Sequence, residues 1–152
     1  MELYDICVFC SSGITEVLYD CGIDPLKYMT DIPMHFALFT KQPVSINIPG
    51  NVRHIHNYAF SGSTELTDVT MGNGVRRIHT GAFANCRNLK TVIIPSSIIT
   101  IEEDAFYACD KAQMKFEGSL KEFEEVLQTF QPRWNNNSNI DTVTCWDGVF
   151  KL

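Results

Sequence analysis

No apolar run in the 152-residue chain approaches the roughly 18 residues that a membrane-spanning helix needs, which excludes a helical membrane protein. Positive charge is scarce as well. Lys and Arg number 12 against 18 Asp and Glu, a net charge of −6, so direct binding to nucleic acid is not expected. The N-terminus Met1-Glu2-Leu3-Tyr4-Asp5 lacks a basic stretch followed by an apolar one. A secretory signal is therefore not expected, and a cytoplasmic location is. Thiols stay reduced in that compartment, so the six cysteines are expected to form no disulfide framework. Signatures of the common chemistries are missing too. There is no Gly-x-Ser-x-Gly, no phosphate-cradling glycine loop and no His-Glu-x-x-His. Gly72-x-Gly74 is too short for a nucleotide fingerprint. Neither a catalytic residue nor a metal or cofactor is expected.

What the chain does have is repetition. A shift of 23 residues lays 44–66 on 67–89 and on 90–112 without a gap. Ile46 falls on Val69 and Val92, Val52 on Val75 and Ile98, and Ile55 on Ile78 and Ile101. Ala59-Phe60 falls on Ala82-Phe83 and Ala105-Phe106, and Ser63 on Cys86 and Cys109. Such a period marks a solenoid, in which each unit buries its apolar face only against its neighbours. Each copy opens on an alternating run, such as Val44-Ser45-Ile46-Asn47-Ile48, that reads as a strand with one buried face. Pro49, Gly72 and Pro95 are expected to end these strands. The Val52-x-x-Ile55 segment suits a short kinked extended piece. Phe60, Phe83 and Phe106 are expected to stack as a ladder, each burying roughly 150–250 Å².

The pattern strand-Ile-Pro, Val-x-x-Ile, x-Ala-Phe, x-x-Cys, x-x-Leu resembles the BspA-like leucine-rich repeat. The order Phe116-Glu117-Gly118, amphipathic helix, Trp134-Asn135 and Cys145-Trp146-Asp147-Gly148 is similar to the usual C-terminal end of that family, so the resemblance runs from about Ile32 to the C-terminus. It implies a fold and a habit of binding proteins or surfaces, and it implies no catalytic residue. Small versions without export signals resemble those of phages and mobile elements.

The expected architecture is a single domain over 1–152: a β-rich solenoid of leucine-rich-repeat type with 23-residue repeats, between two caps. Residues 1–43 form a mixed α/β N-terminal cap, with a strand at Tyr4–Phe9, a helix at Thr15–Cys21, a turn opened by Asp24-Pro25 and a decayed repeat in which Phe36-Ala37 replaces Ala-Phe. Residues 44–112 hold three repeats. Residues 113–152 form a helix-plus-β-hairpin cap. There a one-residue slip leads into the strand Gln113–Phe116. Ser119 and Glu122 make a capping box, Leu120, Phe123, Leu127 and Phe130 face inward, and Pro132 stops the helix, which is expected over the open end. Asp147-Gly148 signals the hairpin. Trp134 and Trp146 are expected in the cap core.

Polar residues repeat as well. Arg53-His54 and His56 recur as Arg76-Arg77 and His79, and the third copy breaks the series with Ile99-Thr100 and Glu102. Residues 23 apart sit on neighbouring coils, so Arg53, His54, His56, Arg76, Arg77 and His79 are expected to share one basic wall. Charge is segregated along the axis: residues 51–90 carry five cations and two acids, residues 101–125 three cations and eight acids, and residues 1–43 two cations and six acids. The expected function is non-catalytic binding of a protein with an acidic surface, in its sharpest form as a phage-encoded inhibitor of a host defence enzyme. Rivals are a surface or adhesive repeat protein, a metal-dependent hydrolase using the His-rich flank, and an acidic C-terminal face that occupies a nucleic-acid channel on an enzyme. Cys7-x-x-Cys10 is half a zinc site that Cys21 and His35 would have to complete; idle thiols are the plainer reading.

Overall fold

The computed structural model describes residues 25–39 and 44–152. The strand and helix expected before Pro25, and Cys7, Cys10 and Cys21, lie outside the described residues. After a 3-10 turn at Pro25–Tyr28, ten strands follow in chain order. They are β1 (Asp31–Ile32), β2 (Ser45–Ile48), β3 (His54–Ile55), β4 (Asp68–Met71), β5 (Arg77–Ile78), β6 (Thr91–Pro95), β7 (Thr100–Ile101), β8 (Gln113–Glu117), β9 (Thr142–Cys145) and β10 (Gly148–Lys151). One helix, α1 (Leu120–Leu127), separates β8 from β9.

The strands sort into two sheets by their place in the repeat. A long sheet has the order β10-β9-β8-β6-β4-β2, and a short one the order β1-β3-β5-β7. All pairs are parallel except β9–β10. Register follows the 23-residue period: Ile46 lies beside Val69 and Val69 beside Val92. Ile32, Ile55, Ile78 and Ile101 make the corresponding row of the short sheet. The slip appears as expected, with Val92 beside Met114 and Ile94 beside Phe116. With β8 included, the solenoid makes about four turns.

Between the sheets lies one core. Phe60, Phe83 and Phe106 stack with centroids 5.2 and 5.3 Å apart and rings within 10° of parallel. Phe36 meets Phe60 edge-on at the first coil, and Trp134 meets Phe106 edge-on at the last. At both ends the parallel stacking gives way to edge-to-face contact, the other favourable geometry of an aromatic pair. At the turn beyond it, the Cys86 and Cys109 thiols donate to the carbonyls of Phe60 and Phe83, one coil back. Burial pushes the Cys86 thiol up to about 12 and Cys109 in the same direction, so neither is a reactive thiol. Ser63 holds the same place with a buried hydroxyl that has no partner among the described residues.

Two columns of left-handed backbone run up the stack. One comprises His35, Tyr58, Gly81, Asp104 and Arg133, and the other Gly62, Asn85, Ala108 and Asn137. Each turns the chain at the same point of every coil. Gly62, Gly81, the two asparagines, Asp104 and His35 are of types enriched in that conformation; Tyr58, Ala108 and Arg133 are not. The backbones at Gly50, Gly72 and Gly74 lie so close that a Cβ on Gly74 would fall 1.8 Å from the Gly50 carbonyl oxygen.

The fifth coil is longer. Helix α1 starts from the Ser119–Glu122 capping box, where hydrogen bonds from Ser119 hold the Glu122 carboxyl below its ordinary range. The helix stands in the path of this coil, and its Phe123 packs on Phe116, Phe130 and Phe150. The chain then rejoins the short-sheet side: Gln131 N–H donates to the Ile101 carbonyl, and the Trp134 carbonyl accepts from Phe106 N–H. Two expectations are corrected here. Trp146 is 76% exposed, not cap core; it occupies the hairpin turn with Asp147, ahead of β10. The Asp147-Gly148 signal is thus displaced by one residue, since Gly148 already pairs with Cys145. Pro95 ends β6 as expected, as its last residue, paired with Glu117.

Candidate functional site

The short sheet carries the basic wall. Its strands are only two residues long, with Ile55 and Ile78 buried. Alternation therefore sends His54, His56, Arg77 and His79 outward. Strand register places His54 beside Arg77 on one side and beside Asp31 on the other. Arg53 and Arg76 sit one residue earlier, linked by a 2.8 Å bond from Arg76 N–H to the Arg53 carbonyl. All three arginines are exposed, and among the described residues none of their guanidinium groups is in an ion pair.

The imidazoles form a tight group. His56 and His79 stack at 5.0 Å with planes 3° apart. His54 lies 5.7 Å from His79 and 6.1 Å from His56. His79 Nδ1 is 2.9 Å from Glu102 Oε1. The other oxygen, Glu102 Oε2, accepts from the Thr80 N–H and hydroxyl at 3.0 and 3.1 Å. His79 Nε2 is buried without a partner among the described residues. The His56 imidazole is held below its ordinary value, first by burial and then by His79, with His54 acting in the same sense and Asp31 and Glu102 against it.

Glu102 occupies the row position of His56 and His79. Sequence reading marked it as the break in the series and missed that it clamps the last imidazole; the 23-residue spacing was the available signal. Asp31 escaped notice because the decayed repeat hides its alignment with His54. It lines an open cleft with Thr30, Gly50, Asn51, Arg53 and His54. A further exposed feature adjoins the wall, where the Tyr58 ring stacks on His35 at 5.9 Å and lies over Gly81, whose missing Cβ makes room for it.

This wall is poorly shaped for metal chemistry. The lone pairs of two parallel rings run side by side and do not converge on one point, as ligation requires. Among the described residues no three His, Cys, Asp or Glu groups are placed to hold a metal ion. The His35 ring stacks on Tyr58, and the cysteines that would complete a zinc site with it lie outside the described residues.

Stacked parallel coils, an aromatic ladder and a repeat-borne outer wall define a solenoid repeat protein. The chain belongs to the BspA-type leucine-rich repeat family, whose model, a region of six copies, matches residues 34–151. Among solved structures it is similar to the pneumococcal vaccine antigen PcpA, with a TM-score of 0.58 and 21% identity over 76% of this chain and 27% of that one. A leucine-rich cell surface protein from Faecalibacterium prausnitzii A2-165 also matches, at a TM-score of 0.37 and 21% identity over 54% of this chain and 28% of that one. The chain thus spans little more than a quarter of the length of either structure. No curated protein is similar enough to count as a relative.

Proposed function

We propose that the chain is a non-catalytic protein-binding module whose short-sheet wall docks an acidic surface of its partner. The observation that carries this reading is the alignment of Arg53, Arg76 and Arg77 beside three imidazoles, with no acid neutralising the guanidinium groups among the described residues. Like charges on adjacent coils repel, and the fold gains nothing from them; complementary charge on a partner supplies the missing attraction and speeds encounter. Its sharpest form is an inhibitor, phage-encoded, that blocks a host defence enzyme in the cytoplasm by forming a stoichiometric complex. The rival reading as a surface repeat protein draws on the likeness to the pneumococcal vaccine antigen PcpA, which is one of fold.

The test is affinity capture from host lysate with the natural chain and with the Arg53→Glu/Arg76→Glu/Arg77→Glu variant side by side, followed by titration of the protein captured. A stoichiometric complex that the variant fails to form, with unfolding temperature unchanged, supports the docking wall. Equal affinity for both chains overturns it.

A further inference from the structure

The long sheet ends in a bare edge. β10 pairs with β9 on one side, in unbroken register from Gly148 beside Cys145 to Lys151 beside Thr142. No other described strand pairs with its far side. Leu152 N–H donates back to the Asp141 carbonyl. Antiparallel alternation therefore points the N–H and C=O groups of Val149 and Lys151 away from β9. Such a row is a template for another strand, and proteins blunt it with bulges, prolines or several charges. β10 has neither bulge nor proline and a single charge, Lys151. Beside it stand large apolar side chains in water: Trp146 at 76%, Val149 at 57% and Leu152 at 44% exposure.

We propose that this edge is a self-association surface and that its occupant is β10 of a second copy, paired antiparallel about a two-fold axis at Val149. The sequence around that point is self-complementary. With Val149 opposite Val149, Lys151 faces Asp147, Phe150 faces Gly148, and Trp146 faces Leu152, each pair occurring twice. Opposite charges meet, and the most exposed apolar side chain gains a partner. Asp147 is available for this, because only its Oδ1 is engaged, by Leu120 N–H at 2.7 Å, and the residue is exposed. Sliding the register by two residues in the other direction sets Lys151 against Val149 and breaks the charge pairing. A two-fold contact of this kind closes at two copies and extends the sheet of six strands continuously into the second molecule.

Sedimentation equilibrium of the 152-residue chain across the micromolar range tests this. The expected mass doubles with concentration and then stops, and Trp146 emission shifts to the blue as the dimer forms. Val149→Pro removes an outward N–H without touching the bonds to β9; it is expected to stay monomeric with an unchanged unfolding temperature. Lys151→Glu sets like charges against Asp147 twice and is expected to weaken the dimer about tenfold, which keeps the proposal testable should the proline variant fail to fold. A chain that is monomeric throughout, a dimer untouched by either substitution, or growth beyond two copies overturns it.

Discussion

The two sheets share one core and show water opposite chemistries. The long sheet turns out a mixed row in which short polar residues lead: Ser45, Asn47, Asp68, Thr70, Thr91, Thr142 and Thr144, with Ile93 on β6 and Gln113, Lys115 and Glu117 on β8. β-branched threonine suits a half-buried pleated surface, so this face is largely accounted for by strand formation. The short sheet turns out arginine and histidine from strands of two residues, where strand propensity contributes little. Repetition on the long sheet is what the fold requires; repetition on the short sheet exceeds it. That excess is why the wall, and not the broader sheet, is the candidate for recognition.

The largest effect on this contrast is expected from removing what both sheets share. Phe83 stands between two stacked rings. Phe83→Ala should destabilise by about 3–5 kcal/mol and lower the unfolding temperature seen by circular dichroism. A small loss would mean that the coils do not depend on the ladder. Next comes the triple arginine-to-glutamate variant of the short wall, which should weaken partner binding a hundredfold or more, about 3 kcal/mol. Thr70→Ala/Thr91→Ala on the long sheet should leave affinity intact, as titration calorimetry would read. Binding lost from the long sheet instead would reverse the assignment of faces.

A smaller change tests the left-handed columns. Ala108 sits at φ +53°, where glycine is better accommodated. Ala108→Gly should stabilise by about 1 kcal/mol in denaturant unfolding, although an alanine-to-glycine change elsewhere in the coil destabilises. The smallest effect is on pH. His56 binds its proton less readily in the folded chain than in the unfolded one, so unfolded chains take up more protons in that range. Its contribution is intact above the unfolded value near 6.5 and is lost as pH falls through the lowered folded value. His56→Asn should flatten the pH dependence of the unfolding temperature between neutrality and mild acid.

Much of this was legible before any coordinates. The rows Ile46–Val69–Val92 and Phe60–Phe83–Phe106, the slip before Met114 and the Ser119–Glu122 cap are direct consequences of spacing, since each involves residues whose burial follows from a period. Trp146 was not legible. Its size argues for the core, and it lies in water because the hairpin turn falls on Trp146-Asp147 and Asp147 is held by Leu120 N–H. Tyr58 and Ala108 gave no sign of their positive φ, as neither residue type prefers it. At the wall, the six basic and imidazole positions were legible from their period. The His79–Glu102 pair was legible only as a shared row position from the 23-residue spacing; the 2.9 Å contact itself depends on side-chain angles.

The sequence alone determined the 23-residue coil, the composition of its core and the segregation of charge along the axis, because a repeat that can bury its apolar face only on its neighbour leaves one way to stack. Only the tertiary structure decided which carboxylate meets which imidazole, that two histidine rings lie parallel, and that β10 is the last strand of the long sheet among the described residues. Those features depend on angles and distances between coils, and a period in one dimension does not specify them.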